Sequence, residues 1–187
     1  DAVRGIQVFV GGEVNEPGYH AFRHTSASLL QALGQAGGLR PDGSLRAIRL
    51  DRAGKRRTVD LYDFLLQGDA TVSHLFLEEE DVLFVPLRQL TVTADGAVRR
   101  PARYELLPGE TLADLVEYAG GASAVADLER VQIRRLNPRM GSEFIDVDLS
   151  QAPATGHRTP LRDGDVVIFA AAFSIFSSFM KAFIQLK

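Results

Sequence analysis

Apolar and polar residues alternate at Ile6, Val8 and Val10 and again at Leu90 and Val92, a period of two that predicts a half-buried strand in each place. Glycine and then proline follow both runs, at Gly12 and Pro17 and at Gly96 and Pro101. These mark a turn that leads into a second strand, through Tyr19 or Tyr104, ending near Phe22 or Leu106. The period then changes to that of a helix. Leu29, Leu33 and Ala36 recur at helical spacing, as do Leu112, Leu115, Val116 and Ala119. Thr25 or Ser26 in the first case, and Gly109 or Thr111 in the second, offer N-cap positions. The pairs Gly37-Gly38 and Gly120-Gly121 close the helices, since glycine just past the last turn adopts the left-handed conformation that satisfies the terminal carbonyls. Further strands are predicted over 47–50 and 131–135, over 57–59 and 144–147, and, after a turn, over Val82–Val85 and 166–169.

The chain therefore says nearly the same thing twice. Gly12, Val14 and Pro17 fall on Gly96, Val98 and Pro101 at an offset of 84, and the helix blocks that begin at Ser28 and Thr111 superpose at an offset of 83. Leu45, Ile48 and Leu50 match Leu128, Val131 and Ile133, and Glu79-Glu80-Asp81-Val82 matches Asp163-Gly164-Asp165-Val166. Strand, strand, helix, strand, strand, strand, repeated in this order, is an α+β plan in which one helix covers one face of a mixed sheet, the order of a β-grasp.

The string Val-x-Gly-x-Val-x-x-Pro-Gly-Tyr, a short helix ending in Ala-Gly-Gly, then Leu-x-x-Val-x-Ile-x-Arg and Leu-x-x-Gly-Asp-Val-Val resembles the SLBB family, the soluble-ligand-binding β-grasp modules. The resemblance runs from Ile6 to about Ala170 and divides the chain into modules over 1–87 and 88–171 and a C-terminal helix over 172–187. Glu79-Glu80-Asp81 departs from the usual Asp-Gly-Asp, and the second copy lacks the Pro-Gly pair. Two such modules in tandem look like the Wza-type outer-membrane polysaccharide export proteins. That likeness implies a non-catalytic sector of a homo-oligomeric periplasmic ring, with polysaccharide as substrate and an inner-membrane polysaccharide co-polymerase as a partner. It also implies a polysaccharide-export domain upstream of Asp1, so that the chain is read as an excised piece. The other reading is a monomeric periplasmic module for polysaccharide binding or capsule assembly.

From Phe173 onward the composition shifts. On a helix, Phe173, Phe176, Met180, Phe183, Ile184 and Lys187 line one side, with Ser174, Ser177, Ser178, Lys181 and Gln185 mostly elsewhere. Fifteen helical residues span roughly 22 Å, short of the roughly 30 Å hydrocarbon core. Two readings stand: an amphipathic helix that contacts the outer membrane, or one that docks on a module.

Charge alters this picture little and narrows the chemistry. The net charge is -3 and no basic block exceeds Lys55-Arg56-Arg57, whereas nucleic-acid binding leaves a concentrated basic footprint. With no cysteine there are no disulfides, thiolate metal sites or cysteine nucleophiles. His20, His24, His74 and His157 are scattered, Ser73-His74 has no obvious nucleophile geometry, and the acidic run 78–81 reads as a solvated turn. Gly11-Gly12 and Gly37-Gly38 are no phosphate loop, because Gly37-Gly38 ends a helix, the wrong end of the dipole for an anion. No catalytic residue, metal or cofactor is expected. For sugar contact the candidates are the aromatic faces of Tyr19, Tyr62 and Tyr104, with Arg23, Arg100 and Arg103 available for acidic sugars.

Overall fold

The alternation at the start of the chain becomes a buried sheet face. The structure, a computed structural model, describes residues 5–23, 26–137, 141–150 and 158–172 and divides into two compact units between Gln89 and Leu90. The tail residues Phe173, Phe176, Met180, Phe183 and Ile184, together with His24 and His157, lie outside the described residues.

The first unit runs β1 (Ile6–Gly12), β2 (Gly18–Phe22), β3 (Ala27–Ser28), α1 (Leu29–Gln35), β4 (Ile48–Arg52), β5 (Lys55–Val59), α2 (Tyr62–Gln67), a 3-10 turn (Ala70–His74), β6 (Phe76–Leu77) and β7 (Val82–Val85). Five strands form one mixed sheet in the order β2-β1-β7-β4-β5, in which only β1 and β7 run parallel. The second unit repeats it with β8 (Leu90–Gly96), β9 (Ala102–Leu106), α3 (Leu112–Tyr118), β10 (Ala126–Asn137), β11 (Gly141–Val147) and β12 (Val166–Ala171), in the order β11-β10-β12-β8-β9, and here β8 and β12 are the parallel pair. The fold is α+β, two mixed sheets each covered on one face by a helix.

Burial follows the period of two. Val8, Val10, Ile48, Leu50, Leu83 and Val85 face inward against Leu29, Ala32 and Leu33 of α1. In the second unit Val92, Ala94, Val131, Ile133, Val167 and Phe169 are buried, as are Leu112, Leu115 and Val116 of α3. Both helices are only seven residues long. At that length a helix is held by its packed face and its caps rather than by propensity.

The caps correct one expectation. Helix α1 starts from Ser28, not from Thr25 or Ser26: the Gln31 backbone N–H donates to the Ser28 hydroxyl at 3.2 Å and the Ser28 N–H to Gln31 Oε1 at 2.8 Å. Such a box needs an amide or carboxylate three residues on, and the residue three beyond Ser26 is Leu29. Thr111 begins α3 in the same way, with both its N–H and its hydroxyl donating to the Asp114 carboxylate. Replacing Ser28 by Ala is expected to destabilise the first unit by about 1 kcal/mol, read as a lower urea midpoint at unchanged slope.

The segment between β5 and β7, expected as a turn, instead holds α2, the 3-10 turn and β6, which pairs with β3. Leu61 and Tyr62 are buried there and Gly68, at φ 76°, ends α2. Strands β4 and β10 extend further than expected; β10 pairs with β11 as far out as Asn137 and Gly141.

Candidate functional site

Each sheet is locked at the same corner by an arginine and an aspartate far apart in sequence. In the second unit Arg135 of β10 grips Asp165, in the turn before β12, through Nε–Oδ1 at 2.9 Å and Nη2–Oδ2 at 2.7 Å, and reaches the Pro160 carbonyl at 3.3 Å. The side chains are 12% and 0% exposed. Asp165 also accepts the Arg162 N–H at 2.8 Å, and its own carbonyl accepts the Thr93 N–H. In the first unit Arg52 holds Asp81 with the same two contacts, at 2.9 and 2.6 Å, and adds Glu78 at 2.6 Å. The hydrogen bonds to the aspartates raise the pKa of both arginines above their already high ordinary values, so both stay charged wherever the protein is folded. The acidic run 78–81 is thus not a solvated turn throughout, because Asp81 is buried and paired.

The sheet face that no core residue occupies is where the units differ. Across the first sheet the register sets Tyr19, Phe9, Val82, Asp51 and Arg56 in one row, and Phe84 and Arg49 in the next. Tyr19 meets Phe9 edge to face at 5.1 Å, and the Arg49 guanidinium lies 5.7 Å from the Phe84 ring centre. An open hollow of about 480 Å³ lies beside this row, lined by Gln7, Phe9, Tyr19, Glu79, Glu80 and Val82. The same positions in the second unit carry Arg103, Thr93, Val166, Arg134 and Phe144. The hollow on that sheet, of about 490 Å³, is lined by Glu129, Arg130, Gln132, Asp146, Ile168 and Ala170.

The candidate sugar-contact residues do not converge. Tyr19 is 70% exposed and presents its ring to solvent. Tyr62 is 5% exposed, with the Arg46 guanidinium 4.6 Å above its ring, and offers no free face. Tyr104, also 5% exposed, donates its hydroxyl to the Arg100 carbonyl at 2.6 Å, and burial pushes its pKa up, partly offset by the Arg100 charge. Both belong to packing and are corrected as such. Arg100 lies against Gly120, Arg103 is exposed on β9 opposite Thr93, and Arg23 is exposed just past the end of β2.

Nor are Tyr19 and Tyr104 counterparts. Tyr104 stands across from Val92 as His20 stands across from Val8. His20 donates through Nε2 to the Glu16 carbonyl at 3.0 Å, the same four-residue reach backwards that Tyr104 makes. Among the described residues no group of three or more His, Asp or Glu side chains is placed to hold a metal ion. Phe9 and Phe84, absent from the sequence candidates, had a signal: Val8-Phe9-Val10 and Val82–Val85 are apolar at every position, which an alternating strand with one wet face does not require.

Residues 6–85 match a family model described as an SLBB domain, and residues 91–144 match a second one. The chain is 33% identical over 128 residues to the EPS I polysaccharide export outer membrane protein EpsA of Ralstonia nicotianae, an alignment covering 67% of this chain and 33% of that protein. Its namesake in Ralstonia solanacearum is 31% identical over 127 residues, covering 67% and 34%. The polysialic acid transport protein KpsD of Escherichia coli is 39% identical over 95 residues, 50% of this chain and 16% of that one. The chain therefore spans about a third of the length of the first two relatives.

Proposed function

Because the chain belongs to the SLBB domain family, with one domain over residues 6–85 and a second over 91–144, we propose that it is the periplasmic portion of a bacterial outer-membrane polysaccharide export protein. The observation that carries this reading is the tandem pair of modules with identity to EpsA and KpsD, whose names describe polysaccharide export and transport. In it the modules are non-catalytic wall elements of a homo-oligomeric ring through which polymer passes.

The sheet edges support assembly by unlike surfaces. Edge strand β5 carries Lys55, Arg56 and Arg57, whereas edge strand β11 carries Glu143 and Asp146. Two copies meeting through identical edges bring like charges together, while β5 of one copy and β11 of the next bring opposite charges together. Repeated head-to-tail contact of that kind closes into a ring when the rotation permits.

Light scattering coupled to size exclusion, on the full-length protein in mild detergent and on a form ending at Ala170, tests the reading. A large discrete oligomer that loosens when the tail is removed is expected. A monomer in both forms overturns the ring and leaves a polysaccharide-binding module.

A further inference from the structure

We propose that the hollow on the outer face of the first module binds a non-anionic hexopyranose unit of a polysaccharide, neutral or amino-bearing. The proposal deepens the export reading and rests on it. Sugar rings present an apolar C–H face and a rim of hydroxyl donors, so a site for them needs an exposed aromatic ring next to fixed acceptors. Tyr19 supplies the ring, braced edge to face by Phe9 and 70% exposed. Gln7 and Glu80 supply the polar groups: among the described residues neither the Gln7 side-chain amide nor the Glu80 carboxylate has a partner, and that side-chain amide both donates and accepts. The hollow, at about 480 Å³, falls within the range of small-ligand sites.

Glu80 carries the argument further. Its φ is 64°, a left-handed conformation that disfavours any side chain, and the second module has Gly164 there at φ 81°. The loop does not need the carboxylate. Glu80 N–H bonds the Gln7 carbonyl at 3.0 Å as Gly164 N–H bonds that of Thr91 at 2.9 Å. Glu79 and Asp163 likewise each accept the N–H of the first-strand residue, Gln7 or Thr91. What Glu80 adds over glycine is a carboxylate at the rim of the hollow, beside the aromatic pair. Where the first module has Phe9, Tyr19 and Glu80, the second has Thr93, Arg103 and Gly164, which confines the site to the first module. The sign of the lining fixes the ligand class, since Glu79 and Glu80 face the hollow and no lining residue is cationic. Carboxylates accept from sugar hydroxyls or an ammonium and repel a uronate.

The test titrates the 187-residue chain with cellotetraose, with the β-1,4 tetramer of glucosamine and with tetragalacturonate, following backbone amides by NMR and heat by calorimetry. The first two probes are expected to shift amides near Gln7, Phe9, Tyr19 and 79–82 at millimolar concentration, and the third is not. Tyr19→Ala and Glu80→Gly are each expected to weaken binding about tenfold. Tyr19→Ala, which also loses the contact with Phe9, should lower the unfolding midpoint slightly while the chain stays folded, and Glu80→Gly should raise it. No shift at those amides with any probe, preference for tetragalacturonate, or unchanged affinity in Tyr19→Ala overturns the proposal. A parallel deletion of both modules from the full-length protein separates the two failures. Surface polymer lost in cells while the tetramers fail to bind sinks the hollow alone, and surface polymer retained sinks the export reading.

Discussion

Replacing Arg135 by Met is expected to cost the second module about 3–5 kcal/mol, the usual penalty for leaving one member of a buried ion pair alone. Against the ~5–15 kcal/mol that holds a typical domain together, this is a large share of the whole. Methionine keeps most of the arginine's volume, so the effect isolates charge and hydrogen bonding from packing. Asp165 stays behind with its side chain 0% exposed and loses two of the three donors that hold it, keeping only the Arg162 N–H. Urea unfolding followed through the Ile133 and Phe169 amides measures the loss. A second substitution, Asp165→Asn, should recover part of it, because the amide still accepts from Arg162 and no longer buries a charge. A loss below about 1 kcal/mol in the single variant would mean that Asp165 finds other partners and that the clamp is dispensable. The corresponding change at Arg52 should cost less, since Arg52 is one-third exposed and shared between Asp81 and Glu78.

The second large effect comes from backbone contact. At Gly96, φ 80°, an added Cβ would lie 2.2 Å from the Phe169 carbonyl oxygen, and at Gly12, φ 82°, the same atom would lie 2.1 Å from that of Val85. In both modules the glycine that ends the first strand lies against the carbonyl of its partner in the parallel neighbour. Gly96→Ala therefore carries about 1–3 kcal/mol for the left-handed conformation and must also part β8 from β12 to clear the oxygen. Gly164→Ala is the matched control: φ is 81°, but nothing lies within 4 Å of its Cβ, so only the conformational part of about 1–2 kcal/mol applies. Calorimetric melting of the two variants should place Gly96→Ala well below Gly164→Ala. Equal melting temperatures would show that the strands part at little cost.

Much of this architecture was legible because the features that build it are local. Alternation gave the strands, the apolar helix positions and the glycine pairs gave α1 and α3, and the offset of 84 gave the duplication. What escaped depended on register or on distance. Pairing Tyr19 with Tyr104 by eye is one residue out, since counting from Pro17 and Pro101 puts Tyr104 over His20. In a strand that slip exchanges the buried face for the wet one, which is why one tyrosine is exposed and the other is core. Tyr62 sits on a helix of six residues, too short for its period to register. Asp81 looked solvated because its arginine lies 29 residues away, where no local pattern reaches. The outer aromatic residues were visible as apolar runs, yet a run without alternation does not say which member faces water.

In each module the last strand to be made lies at the centre of the sheet, beside the first. β1 ends at Gly12 and its parallel partner begins at Val82; β8 ends at Gly96 and waits for Val166. During synthesis at ~5–20 residues per second, either module spends several seconds with its middle open, its hairpins β1–β2 and β4–β5, or β8–β9 and β10–β11, able to form but with nothing between to join them. Such non-local closure slows folding and leaves an unpaired, apolar strand exposed on the emerging chain.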